Sequence, residues 1–236
     1  MKARTCANGS TQRDYISKED AASPTAATES ILITATVEAN ENRDVMSADI
    51  PHAFIQTDMD YNGTERMMMK IRGPLVDMLI SLDSELYSEY VVYERGEKVI
   101  YVSLLKALYG TLVAALLFYK KLRKDLESIG FKVNPYDSCV ANRVVNGKQH
   151  TVTWHVDDLK SSHVDPKVND DFLKWLDKIY GDPKIAPVTA TRGKIHDYLA
   201  MKLDFTTNGK LKVNMTEYVK GMVNDFPAEL SKSNYP

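Results

Sequence analysis

The chain has 236 residues, 44% of them hydrophobic and 26% charged, which is enough apolar material for one large domain or two small lobes and too much for a disordered chain. The formal charge of -2 excludes the overall basic signature of many nucleic-acid-binding proteins and leaves only local basic clusters to meet phosphates. Cys6 and Cys139 fit neither a metal-ligand spacing nor a disulfide framework, the longest apolar run (around Leu112 to Phe118) is far shorter than the ~20 residues of a bilayer span, and Met1-Lys2-Ala3-Arg4 lacks an apolar signal region; a soluble, intracellular chain with reduced thiols is expected.

The first thirty residues, with Ala7-Asn8-Gly9-Ser10-Thr11 and Ala21-Ala22-Ser23-Pro24-Thr25, are polar and turn-rich and read as an irregular lobe or extended cover. The apolar run from Ser30 to Glu38 is a buried helix or a strand, since periodicity does not separate the two at this length. Val45-Met46-Ser47-Ala48-Asp49-Ile50 has a strand's length and stops at Pro51, which suits the first turn of a helix, so Asp49 is expected at a strand-to-helix corner. Val99 to Val102 reads as a strand. After Tyr109-Gly110, Leu112, Ala115, Leu116, Tyr119, Leu122, Leu126 and Ile129 recur at helical spacing, and Gly130 supplies the stop. Lys120, Lys121, Arg123 and Lys124 fall on this helix and read as a solvated face.

From His150 to Val164 the residues alternate, with Val152, Trp154 and Val156 on one side and Thr151, Thr153 and His155 on the other, as in a half-buried strand. Asp157-Asp158 comes next, and Leu159 to Val164 can pair back as the second arm of a hairpin, which puts both carboxylates at its tip. A helix is expected over Asp171 to Tyr180, strands over Tyr198 to Phe205 and Lys210 to Asn214, and a last helix from about Thr216 to Phe226. No internal repeat or low-complexity segment interrupts the chain.

Adjacent aspartates repel one another unless a cation or donor neutralises them, although an Asp-Asp pair in a hairpin is often turn chemistry alone. Asp49 ends another predicted strand. If both strands share a sheet with these ends together, three carboxylates converge on a set suited to magnesium, as nucleotidyl transfer requires. His155, His163 and Asp157 form a zinc or manganese alternative, weakened because the hairpin puts the imidazoles on different arms. His52 and His196 read as surface or capping residues.

Val45-Met46-Ser47-Ala48-Asp49-Ile50-Pro51-His52-Ala53-Phe54-Ile55-Gln56 resembles motif A of reverse transcriptases from copia-type LTR retrotransposons, in which an aspartate is followed four and five positions later by a small residue and an aromatic. His155-Val156-Asp157-Asp158 resembles motif C, the family's aromatic-Val-Asp-Asp box. Leu104-Leu105-Lys106-Ala107-Leu108-Tyr109-Gly110, running into Ala115 to Leu122, resembles the approach to and the palm helix of motif B. Lys2-Ala3-Arg4 with Gly9 and Gln12 is similar to a fingers segment, and His196 to Met201 with Asn214 to Val219 is similar to the primer grip and the segment after it. The resemblance covers nearly the whole chain with its boxes in order.

It implies an α+β polymerase palm, an antiparallel sheet packed on helices, with a partial fingers lobe. The implied domains are partial fingers over 1–44, palm over 45–205 with an inserted fingers segment at about 58–100, and primer-grip exit with the start of a thumb over 206–236. The implied activity is RNA-directed DNA synthesis with two Mg²⁺ ions, or Mn²⁺, held by Asp49 and Asp157 with Asp158 in support. Phe54 would be the steric gate against a ribose 2′-hydroxyl, Ala53 would offer its backbone amide, and Lys2 and Arg4 would neutralise triphosphate charge. Partners implied are an RNA template, a DNA primer and dNTPs, with no membrane, and with integrase and RNase H regions on a parent polyprotein in a cytoplasmic virus-like particle or the nucleus. Two positions depart from the pattern: Val113 stands where the family usually has Gln beside the nucleotide, and His155 where it has Tyr. With the short thumb, they leave a second reading, a degenerate or domesticated remnant that binds nucleic acid or a protein, and a third, a metal-dependent phosphohydrolase using the same carboxylates.

Overall fold

The computed structural model describes residues 6–59, 66–182 and 186–226. The first described elements in chain order are α1 (Lys18–Ala21), α2 (Thr28–Asn40), β1 (Asp44–Asp49), β2 (Met68–Arg72), α3 (Pro74–Leu82), α4 (Ser84–Tyr87), β3 (Val92–Glu94) and β4 (Glu97–Ser103). Next come α5 (Ala114–Ser128), β5 (Lys132–Val133), β6 (Val140–Val145), β7 (Lys148–His155), β8 (Asp158–His163) and α6 (Pro166–Tyr180). The chain closes with β9 (Thr189–Gly193), β10 (Ile195–Tyr198), β11 (Met201–Asp204), β12 (Lys212–Asn214) and α7 (Thr216–Asp225). The fold is mixed α and β with antiparallel sheets, as expected. It divides into two compact units, residues 1–23 with 52–121 and residues 24–51 with 122–236, the division falling inside α5.

The second unit holds a six-stranded sheet in the order β5-β6-β7-β8-β1-β9 and a three-stranded sheet β10-β11-β12. Val45 to Ala48 of β1 lie between β8 and β9, with Val45, Met46 and Ala48 buried, as a central strand demands. The run from Ser30 to Glu38 resolves as helix: Ile31, Ala35, Glu38 and Ala39 are its buried positions, a spacing only a helix puts on one face. β7 is buried on both faces from His150 to Trp154, not on one, because α2 and α6 cover opposite sides of the sheet. α5 ends in a Schellman motif, with Phe131 N–H donating to Leu126 O (3.2 Å), Gly130 N–H to Glu127 O (3.1 Å) and Gly130 at φ +90°. α6 starts at Pro166, five residues before the expected Asp171, because Asp165 caps it by accepting from Lys167 N–H (3.0 Å) and Pro fits the first turn.

The segment from Tyr198 to Phe205 is not one strand. A hairpin interrupts it: Tyr198 pairs with Met201 across Leu199 and Ala200, both at positive φ (+49° and +62°), the backbone of a type I′ turn formed without glycine or asparagine.

The first unit is built on the three-stranded sheet β2-β4-β3 and on an apolar cluster of Met59, Leu104, Ala107 and Ala114. Residues 51 to 56 form turns rather than the helix that Pro51 suggested; His52 sits at φ +53°, which a right-handed helix cannot accommodate. No helix among the described residues is long and apolar enough to cross a membrane.

Candidate active site

The β7–β8 hairpin closes through a two-residue turn, Val156-Asp157, between the paired residues His155 and Asp158. Val156 stands at φ +59°, a position that favours glycine and is costly for a β-branched residue; such strain persists only where the surroundings over-determine it. β1 runs antiparallel to β8 with Asp49 directly opposite Asp158, and directly opposed residues project from the same face of a sheet. Ile50 N–H donates to Asp157 O (3.4 Å), which ties the turn to the end of β1. Residues 49, 157 and 158 therefore meet at one end of two central strands.

The Asp158 carboxyl is pushed above its usual range, first by burial and then by the charges of Asp157 and Asp49, with His155 acting weakly in the opposite sense. Asp49 and Asp158 line an open cleft of about 190 Å³ with Asp197, Tyr198, Thr189 and Thr191. The buried Tyr198 hydroxyl donates to the Asp158 carbonyl (3.4 Å). Among the described residues no three His, Cys, Asp or Glu side chains stand close enough together to hold a metal ion by themselves. Asp49 and Asp158 offer carboxylate oxygens from one face of the sheet, the chemistry of a hard divalent cation, and Mg²⁺ completes its shell with water and substrate phosphate rather than with a full protein cage.

The remaining expected site residues fall in the first unit or outside the described residues. Ala53 is fully buried, and the Phe54 ring lies 4.4 Å from Tyr109 and 6.2 Å from Phe118, centroid to centroid. Val113 packs against the cluster of Met59, Leu104, Ala107 and Ala114, an apolar setting that accounts for an apolar residue there. Lys2 and Arg4 lie outside the described residues. His155 and His163 stand at opposite ends of the hairpin arms, and His163 Nδ1 accepts from Asp165 N–H (2.9 Å), so the imidazoles share no metal site.

A family model described as reverse transcriptase (RNA-dependent DNA polymerase) matches residues 1–235. The chain belongs to the reverse transcriptase family. Among solved structures it resembles telomerase from Candida albicans in complex with a TWJ fragment of telomeric RNA, at 11% identity and TM-score 0.42 over 87% of this chain and 37% of that one. It also resembles apo telomerase from Candida tropicalis, at 12% identity and TM-score 0.42 over 86% of this chain and 38% of that one. The chain thus spans well under half the length of either. A search among curated proteins returns no match.

In this reverse transcriptase chain, several residues around the carboxylates were not singled out by sequence. Lys160, two positions along β8 from Asp158 and on the same face, is fully buried and ion-paired with Glu38 of α2, with Thr34 Oγ1 as a second acceptor (3.3 Å). His196, expected as a surface or capping residue, is fully buried: Ser47 Oγ meets its Nδ1 (3.2 Å) and its Nε2 donates to Gly193 O (3.0 Å). A lysine two positions after Asp-Asp, and a glutamate at the end of the run from Ser30 to Glu38, were the available signals.

Proposed function

We propose that this chain is the polymerase core of a copia-type retrotransposon reverse transcriptase, extending a DNA primer on an RNA template with dNTPs. The observation that carries the reading is the pairing of Asp49 with Asp158 across β1 and β8, with Asp157 in the adjoining turn. Asp49 and Asp157 would be the principal ligands of two Mg²⁺ ions, or Mn²⁺, with Asp158 supporting them. Bound there, the ions would neutralise triphosphate charge and activate the primer 3′-hydroxyl.

The chain's own residues do the positioning. The strained hairpin turn carries Asp157 and holds Asp158 in the cleft opposite Asp49, so that the primer 3′-oxygen would bond to the α-phosphorus as pyrophosphate leaves. Phe54 excludes the 2′-hydroxyl, Ala53 offers its backbone amide, and Lys2 and Arg4 meet the triphosphate. Val113 contributes only apolar surface at the position where an amide is usual. The fingers would span 1–44 and about 58–100, the palm the rest of 45–205, and the primer-grip exit 206–236. Integrase and RNase H regions would accompany the chain on a parent polyprotein, in a virus-like particle or the nucleus.

Purified chain is expected to extend oligo-dT on poly-rA with dTTP and Mg²⁺, to stop when the metal is chelated, and to lose about 100-fold or more of its rate in Asp157→Asn. Equal rates from Asp157→Asn overturn the assignment. The apolar packing of Val113 favours one second reading, a non-catalytic remnant; tight binding of an RNA–DNA duplex with no extension, even with a thumb supplied, selects it. Release of inorganic phosphate without extension selects a phosphohydrolase.

A further inference from the structure

The segment around Gly9 is clasped to a loop far along the chain. Ala7 N–H donates to Tyr109 O (2.7 Å), and Leu112 N–H donates to Gln12 Oε1 (2.8 Å) across 100 positions of sequence. Between these bonds Gly9 and Gly110 meet backbone to backbone. A Cβ on Gly9 would fall 2.2 Å from the Gly110 carbonyl oxygen, and one on Gly110 would fall 2.0 Å from that of Ala7. Gly110 also stands at φ +88°, so neither glycine admits a side chain without moving backbone. The orientation of the Gln12 amide is set by the same contacts: only its oxygen can accept from Leu112 N–H, and its nitrogen then faces Met67 Sδ (2.8 Å), a weak acceptor.

The clasped loop carries Tyr109. Its ring lies 4.4 Å from Phe54 at a tilt of 38°, while the fully buried Phe118 of α5 lies 6.2 Å from Phe54. One neighbour of Phe54 is therefore fixed by a helix, and the other through the loop that Ala7, Gly9 and Gln12 hold. A steric gate discriminates a hydrogen from a hydroxyl, a difference small enough that a fraction of an ångström of slack in its backing ring matters.

We propose that Gln12 is a positioning residue for sugar selection: by fixing the Tyr109–Leu112 loop it holds the Phe54–Tyr109 ring pair and so sets how strictly a ribose 2′-hydroxyl is excluded. The inference rests on Phe54 acting as the sugar gate. Gln12→Leu keeps the length of the side chain and removes the acceptor; Gln12→Glu keeps an acceptor oxygen. The preference for dTTP over UTP, as the ratio of kcat/KM on poly-rA with oligo-dT, is expected to fall about 10-fold in Gln12→Leu, chiefly through a lower KM for UTP, and to stay near the parent value in Gln12→Glu. Gly9→Ala, which forces the Gly110 carbonyl to move, is expected to reproduce the loss. A folded Gln12→Leu with the parent preference, or a Gln12→Glu as permissive as Gln12→Leu, overturns the proposal and leaves the polymerase reading intact. If the parent chain inserts neither nucleotide, calorimetric binding of dTTP and UTP reads the same preference, and no binding of either by the parent chain overturns both.

Discussion

The two faces of the six-stranded sheet are built on opposite plans. Toward α6, Arg143 Nε donates to His150 Nδ1 (3.1 Å), His150 Nε2 to Ser161 Oγ (2.8 Å), and Ser161 Oγ to Asn169 Oδ1 (2.7 Å). Asn169 Nδ2 then donates to the Asp44 carboxylate (2.7 Å), which Arg192 also pairs. His150 and Ser161 each donate once and accept once, with the donor direction set by the arginine at the start, and Asn169 accepts from Ser161 and donates to both the carbonyl and the carboxylate of Asp44. Toward α2, the buried pair Glu38–Lys160 is surrounded by polar atoms that find no protein partner: Glu38 Oε2, Thr153 Oγ1 and Ser162 Oγ. Asp49 and Asp158 project from that second face. On the α6 face the polar side chains form a connected chain, although Arg192 Nε is without a partner there among the described residues; the face that carries the acidic cleft is less completely satisfied, as functional surfaces tend to be.

The largest expected effect breaks the weaker face at its ion pair. Lys160→Met leaves Glu38 as an uncompensated charge on a side chain 2% exposed, at a cost of about 3–5 kcal/mol. The denaturant midpoint should fall accordingly, and Glu38→Leu combined with Lys160→Met should recover most of it, because two apolar groups replace a pair whose attraction barely offsets its desolvation. A double variant no more stable than Lys160→Met contradicts this.

The stronger face has its own weakness, in acid. Burial, then the charges of Arg143, His163 and Arg43, push the His150 imidazole down to about 3 from its ordinary 6.5, and burial also lowers His196. A group whose folded value is depressed binds protons mainly in the unfolded chain, so its contribution is intact above pH 6.5 and is lost as pH falls towards 3. His150 alone should account for about 2 kcal/mol of lost stability by pH 5. Unfolding free energies measured from pH 7 to pH 5 should show this slope, and His150→Gln should flatten it; an unchanged slope would mean that His150 titrates normally.

These contrasts also explain what the sequence could reveal. The Asp157-Asp158 tip was legible because alternation in β7 and the turn tolerance of Asp act locally, and α5 was legible because seven apolar positions keep helical spacing up to Gly130. The β10–β11 turn was not, since Leu199-Ala200 lacks the residues that normally mark positive φ and tertiary packing overrides propensity there. Burial of β7 on both faces was hidden as well, because Thr151 and Thr153 look solvent-facing until α2 covers them. The carboxylates at 49, 157 and 158 could be named from the sequence, but the Lys160–Glu38 pair on the same face and the Tyr198 hydroxyl on the Asp158 carbonyl join segments remote in sequence, and no local pattern encodes such contacts.

The smallest expected effect is the sharpest test of the comparison, because the same class of change should act with opposite sign on the two faces. Ser161→Ala removes a hydroxyl that both accepts from His150 and donates to Asn169, leaving two buried groups unsatisfied at about 1–3 kcal/mol. Thr153→Val removes a hydroxyl with no protein partner and keeps the shape of the side chain, so it should be neutral or stabilise by less than about 1 kcal/mol. Both residues lie on adjacent central strands with at most 1% exposure, which leaves hydrogen bonding as the main difference between them. Paired thermal and denaturant unfolding of the two variants reads the sign directly. If Thr153→Val costs as much as Ser161→Ala, its hydroxyl is held by bridging water within the α2 face, and the two faces are equally well satisfied.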